Sequence, residues 1–255
     1  MATIPRAALD YVTKQVNGLS ADAQRRVLKV LQAIEWTPDN VAECRDLVIQ
    51  ALAAVMPTYT DAAAQASADF YDASRELATG TPLGAQAISG YDPAKTEGAV
   101  RGFVRFVLGG RVQTFNDRVL QRIDYETKLS AANSTLENGR RDPLKPKYAR
   151  VPTGSETCDF CLMLASRGFV YHTESTASMG HVHANCDCRI VAGWDGMEVA
   201  DYDDMEIYER WQDVVKAKAK ERAERNGTDE SDEYAAIMAG YGRAATRAKK
   251  SRSKA

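Results

Sequence analysis

Apolar positions in the first two thirds of the chain recur at the three- and four-residue spacing of a helix face. Val27, Val30, Leu31 and Ile34 form one stripe, with Ser20 placed to cap it. Thr37 and Pro38 predict a fresh N-terminus for the next stripe, Cys44, Leu47, Val48, Ala51, Leu52 and Val55. Cys44 lies inside that stripe and reads as a small core residue, because a buried thiol packs as a hydrophobe. Pro57 predicts a break, followed by an alanine-rich helix through "TDAAAQASADFYDASREL". The glycine- and proline-rich "TGTPLGAQAISGYDP" predicts a loop, and Asp92-Pro93 reopens helix by cap and first-turn logic. Val100, Phe103, Val104, Val107 and Leu108 share a face. Gly109-Gly110 interrupts it, and Val112, Phe115, Val119 and Ile123 renew it, with the pattern running to about Leu136. Nothing in these stripes asks for a cofactor; they predict a helical body over residues 1–142.

The pattern changes at "NGRRDPLKPKYARVP", where Asn138-Gly139 and three prolines predict a boundary. "YARVP", "GFVYH" and "CRIVAGW" then read as short strands of β-branched and aromatic residues between turn signals. A β-containing module over 143–196 is the inference. Helical spacing returns after Asp203-Asp204, with Ile207, Trp211, Val214 and Val215 on one face. The stretch over 197–255 is expected to be a charged helical extension with a disordered end. The fold class is therefore α+β, mostly α.

The 255 residues carry a formal net charge of -2, so no global charge argues for nucleic acid. Apolar runs stay short of the roughly 20 residues that cross a bilayer, and no membrane partner is expected. The start lacks an apolar signal region, which predicts a reducing compartment where disulfides are disfavoured.

That matters because Cys158 to Cys188 holds four of the five cysteines and all three histidines. Cys158 and Cys161 form C-x-x-C, a spacing that lets two thiolates from one turn reach a single ion. "HVHANCDC" adds His181, His183, Cys186 and Cys188. Sulfur and imidazole donors favour zinc over calcium or magnesium. Cys158, Cys161, His183 and Cys186 make the first ligand set, with Cys188 the closest substitute; Cys186 and Cys188 share one side of a strand. His172 reads as a surface residue. A redox dithiol needs a βαβ unit that the surroundings do not supply.

A catalytic zinc keeps an open position beside a general base. The H-x-E of zinc deaminases is absent, since Val182 stands between the histidines. No catalytic residue is assigned, and the chain is expected not to be an enzyme. The alternative is a zinc-containing nuclease or other DNA-processing enzyme using His181 or His183. A module of some fifty residues buries little apolar surface, which gives one structural Zn2+ per chain a purpose as a staple.

"VPTGSETCDFCLMLASRGFVY" and "HANCDCRIV" resemble the C-terminal module of phage Mu F-like minor capsid, or head morphogenesis, proteins of actinobacterial tailed phages. That family pairs C-x-x-C with H-x-x-C-x-C and an apolar strand, mapping onto Cys158, Cys161, His183, Cys186 and Cys188. Ala184 and Asp187 stand where the common form has proline and arginine. The resemblance implies a virion protein, made in the host cytoplasm and placed at the portal vertex or capsid interior. Portal and major capsid protein would be its partners, and head assembly its role, with DNA packaging or ejection beside it. The basic end, Arg243, Arg247, Lys249, Lys250, Arg252 and Lys254, is either a solvated tail or an arm touching packaged DNA.

Overall fold

The computed structural model describes residues 2–154, 157–173 and 188–252, with side chains as far as Tyr241. Among these, strand β1 (Thr3–Ile4) leads into four long helices: α1 (Arg6–Ala33), α2 (Val41–Thr79), α3 (Pro93–Leu108) and α4 (Val112–Arg141). Strand β2 (Lys147–Pro152), the short α5 (Asp159–Ala165), β3 (Cys188–Gly193) and β4 (Glu198–Val199) follow. Helices α6 (Asp204–Asn226) and α7 (Glu230–Arg252) complete the order. The described residues are mostly α with two small two-stranded sheets, as the chain's periodicity predicts.

Helix limits follow the sequence signals where the capping is local. Asp92 caps α3 by accepting from the amides of Ala94 and Lys95, with Pro93 at the first position. Gly110 turns the chain from α3 into α4 at φ 71°, a backbone shape that glycine adopts without strain. Asp203 caps α6 through the amides of Met205 and Glu206.

Four sequence expectations fail, one through a competing local turn and three because tertiary contacts outweigh local propensity. Ser20 lies inside α1, not at its start, because its hydroxyl donates to the Asp124 carboxylate of α4 at 2.7 Å in the core. Thr37 and Pro38 precede α2 in a turn, and Asn40 holds that turn by accepting from the Thr37 amide at 2.9 Å. Pro57 lies within α2. An internal proline costs a helix about 3 kcal/mol. Leu52, Met56, Tyr59 and Ala63 are buried on either side of it, and that packing offsets the loss. Asn138-Gly139 is also internal, in α4. The Asn138 side-chain amide accepts from the Gln86 backbone N–H and donates to the Gln86 backbone carbonyl, and so clamps the extended 80–92 segment against the bundle.

By length and composition α2 would pass for a membrane span. Its Val48, Leu52 and Met56 face is buried in one cluster with Val27 and Leu31 of α1 and with Phe115, Val119 and Ile123 of α4. Cys44 on α2 is buried as well, and burial pushes its thiol pKa up.

A second core joins the helices to the strands. Leu9, Val12 and Val16 of α1, Tyr71 of α2 and Leu136 of α4 pack in it with Tyr148, Val151, Leu162, Val191 and Trp194. Tyr71 and Trp194 meet edge to face at 5.3 Å, an arrangement worth about 1 kcal/mol beyond burial. Strand β1 pairs in parallel with β4 (Ile4 opposite Val199), tying the chain start to the segment beyond β3. The apolar core therefore runs across residue 142 without a gap. This changes the stability argument for a staple: helices cover the strands, so a metal would fix local geometry at one edge of a core that already exists.

Candidate metal centre

The site is built on the antiparallel pair β2–β3, in which Arg150 lies opposite Ile190 and Pro152 opposite Cys188. Side chains two apart share a face of a strand, so Cys188 and Arg150 are diagonal neighbours on the same face. Strand β2 is buried on both faces, with Tyr148, Ala149, Arg150 and Val151 all inaccessible. Helix α5 packs on β2, while α2 and α4 pack on β3. Tyr171 adds one antiparallel bridge to Tyr148, so "GFVYH" contributes a single pair where the sequence predicts a strand.

Cys158 caps α5, and its Sγ accepts from the Cys161 amide at 3.4 Å. That turn presents both sulfurs of C-x-x-C toward the strand face. Cys161 is fully buried, and its Sγ lies 3.3 Å from the Sγ of Cys188. Four sulfurs around zinc at about 2.3 Å would stand about 3.8 Å apart, whereas a disulfide bond holds them at about 2.0 Å. The Cys161–Cys188 contact is closer to the former. Soft donors gathered in this way fit a thiophilic ion.

Two further groups bound the site. Arg150 is buried and directs Nη1 at Cys188 Sγ from 3.0 Å and at Cys161 Sγ from 3.9 Å. Its charge favours the thiolate form that metals require. Asp159, next to Cys158, pairs with Lys218 of α6 and accepts from the Tyr241 hydroxyl of α7 at 3.1 Å. Phe160 stacks on the Tyr241 ring at 6.5 Å. The α6–α7 hairpin thus holds the start of α5 in place.

The structure brings together Cys158, Cys161 and Cys188 of the five ligand candidates. His183 and Cys186, with the spare His181, lie outside the described residues. Among the described residues no three Cys, His, Asp or Glu side chains close fully around one point, so the ligand set is not complete within them. His172 is exposed, as expected. Helix α5 opens after β2, but β3 returns antiparallel, so the βαβ frame of a thioredoxin-like dithiol is not built from β2, α5 and β3. The sequence reading missed Arg150. Its signal was an arginine in the middle of an otherwise apolar strand.

The matched family spans both the helical body and this site: a family model described as VG15 protein covers residues 3–214. The chain belongs to the VG15 protein family. No curated protein and no solved structure matches it. The VG15 match runs from β1 into α6, so the bundle, the strand pair and the three cysteines lie within one family unit.

Proposed function

We propose that this VG15-family chain is a minor structural protein of a tailed-phage head. In this reading it sits at the portal or on the inner capsid surface and acts in head morphogenesis, with no catalytic role of its own. One observation carries the reading. The C-x-x-C of α5 meets Cys188 at the head of the apolar strand β3, with Cys161 and Cys188 sulfurs 3.3 Å apart. That is the pairing of C-x-x-C with a downstream cysteine strand on which the likeness to Mu F-like proteins rests.

The metal in this reading is one structural Zn2+ per chain, held by Cys158, Cys161 and Cys188 with His183 or Cys186. It would lock the start of α5 to the start of β3. The basic residues Arg243, Arg247, Lys249, Lys250 and Arg252 lie on α7, with side chains outside the described set, and Lys254 lies outside it altogether. They remain the candidate contacts to packaged DNA.

Mass spectrometry of purified virions tests the role. The expected result is the chain at few copies per particle, crosslinked to portal or major capsid protein. Its absence from virions would sink the reading. Native mass spectrometry of the reduced protein tests the metal separately, with one zinc per chain expected and a metal-free mass counting against it.

A further inference from the structure

Away from the cysteines, a groove of about 340 Å3 opens between α3 and α4 near their connecting turn. Three rings line it, Phe103, Phe106 and Tyr125, together with the guanidiniums of Arg105, Arg118 and Arg122. No carboxylate is among its lining residues. Arg105 and Arg111 both stack on the Phe106 ring, each 5.0 Å from its centroid. Arg118 donates to the Gln121 side chain at 3.1 Å, which lays it along α4. Arg122 is committed to Glu126 and rests over Tyr125.

Most other surface arginines of this bundle are neutralised by neighbours, Arg6 by Asp10, Arg25 by Asp22, Arg45 by Asp46 and Arg101 by Glu97, while Arg141 donates to the Asn138 side chain instead. Among the described residues, Arg105, Arg111 and Arg118 pair with no carboxylate. A chain with a slight excess of acidic residues has left three guanidiniums uncompensated around one groove. Stacking on a ring orients a guanidinium and leaves its N–H edge free, which is the arrangement that forks onto a phosphate.

We propose that this groove binds single-stranded nucleic acid. Arg105, Arg111 and Arg118 would hold the phosphates, and the Phe103 ring and the guanidinium planes stacked on Phe106 and Tyr125 would receive bases. The combination decides between polyanions. An acidic polypeptide would satisfy the charges but offer the rings no flat partner. A duplex keeps its base faces internal and offers the rings and guanidinium planes nothing to stack on. The proposal is independent of the phage-head reading and of the basic end of α7.

The test is fluorescence anisotropy of a labelled oligothymidylate with the full chain, across a salt series. Arg105 and Arg118 are exposed, so R105A/R118A is expected to fold, and its thermal melt checks this. The double variant should bind at least about tenfold more weakly. Its slope of log Kd against log salt should fall by about 1.4, two phosphates at about 0.7 each. F106L should weaken binding with the slope unchanged, because stacking is lost and charge is not. A K249A/K250A/R252A variant should retain the R105A/R118A effect in full. Unchanged affinity and slope in R105A/R118A overturn the proposal. So does tighter binding of the matching duplex at the same salt. Displacement of the oligonucleotide by polyglutamate at equal charge concentration would make the groove an acidic-polypeptide site and overturn it equally.

Discussion

Arg150 directs Nη1 at the Sγ of Cys188 from 3.0 Å, and its side chain is 1% exposed. A guanidinium taken from water needs anionic or strongly accepting neighbours, and the Cys188 sulfur at that distance is an acceptor. The relationship makes Arg150 a positioning residue for the candidate metal centre: on metal binding it would stabilise the charged sulfur without ligating anything.

Replacing Arg150 should therefore weaken metal binding while leaving every cysteine in place. Groups that support ligands typically contribute 10- to 100-fold in affinity. R150M is expected to lower zinc affinity by at least about tenfold in chelator competition. R150K, which keeps the charge but not the planar fork, should fall between it and the wild type. Equal affinities for all three would show that the guanidinium is only a packing group.

Metal removal should sort the cysteines by environment. With zinc bound, alkylation at neutral pH should be slow at every thiol. A chelator should expose Cys158 and Cys188, both half-buried, to rapid labelling read by peptide mass spectrometry. Cys44 should stay unlabelled until global unfolding, because burial both shields its thiol and raises its pKa above the ordinary thiol value. C44A should keep a full zinc content; C188S should lose most of it.

The stripes of α1 to α4, the Asp92 and Asp203 caps and the turn at Gly109-Gly110 were legible because each rests on residues close in sequence. The errors at Ser20, Pro57 and Asn138-Gly139 share the opposite origin. Ser20 answers to Asp124 and Asn138 to Gln86, each contact linking residues far apart in the chain. At the site, the spacing of Cys158 and Cys161 was readable, but the register that places Cys188 diagonal to Arg150 was not. A strand's register depends on which residue of the partner strand it meets, and no local pattern carries that.

The buried pair Arg75–Asp142 gives stability a pH dependence. Burial works against the Asp142 charge, yet the Arg75 guanidinium, the Leu144 amide and the Tyr71 hydroxyl hold its pKa below the usual carboxylate value. A lowered folded-state pKa means that stability is complete above the unfolded value near about 4 and is lost as pH falls through the folded value. D142N keeps the shape but leaves Arg75 buried without its counter-charge, which should cost about 3 kcal/mol at pH 7. Urea melts should show that gap narrowing as the pH drops below about 4, where the wild type loses the same charge. A gap constant with pH would assign the loss to shape instead of charge.

Gly139 lies inside α4, where alanine normally stabilises a helix by about 1 kcal/mol over glycine. Here the opposite is expected. A Cβ on Gly139 would stand 1.9 Å from the Tyr148 hydroxyl oxygen and 2.8 Å from the ring carbon that bears it. Tyr148 cannot easily move, since β2 fixes its backbone and its ring is buried, with the hydroxyl donating to the Leu136 carbonyl at 3.4 Å. Overpacking of this kind costs about 1–3 kcal/mol, more than the propensity gain. G139A should thus lower the unfolding free energy by about 1–2 kcal/mol net in urea melts. Adding Y148F removes the nearest clashing atom and should recover part of the loss, with the remaining ring contact accounting for the rest. If G139A instead melts higher than the wild type, Tyr148 does not pack against α4, and the junction of the helical body with the strand pair would have to be redrawn.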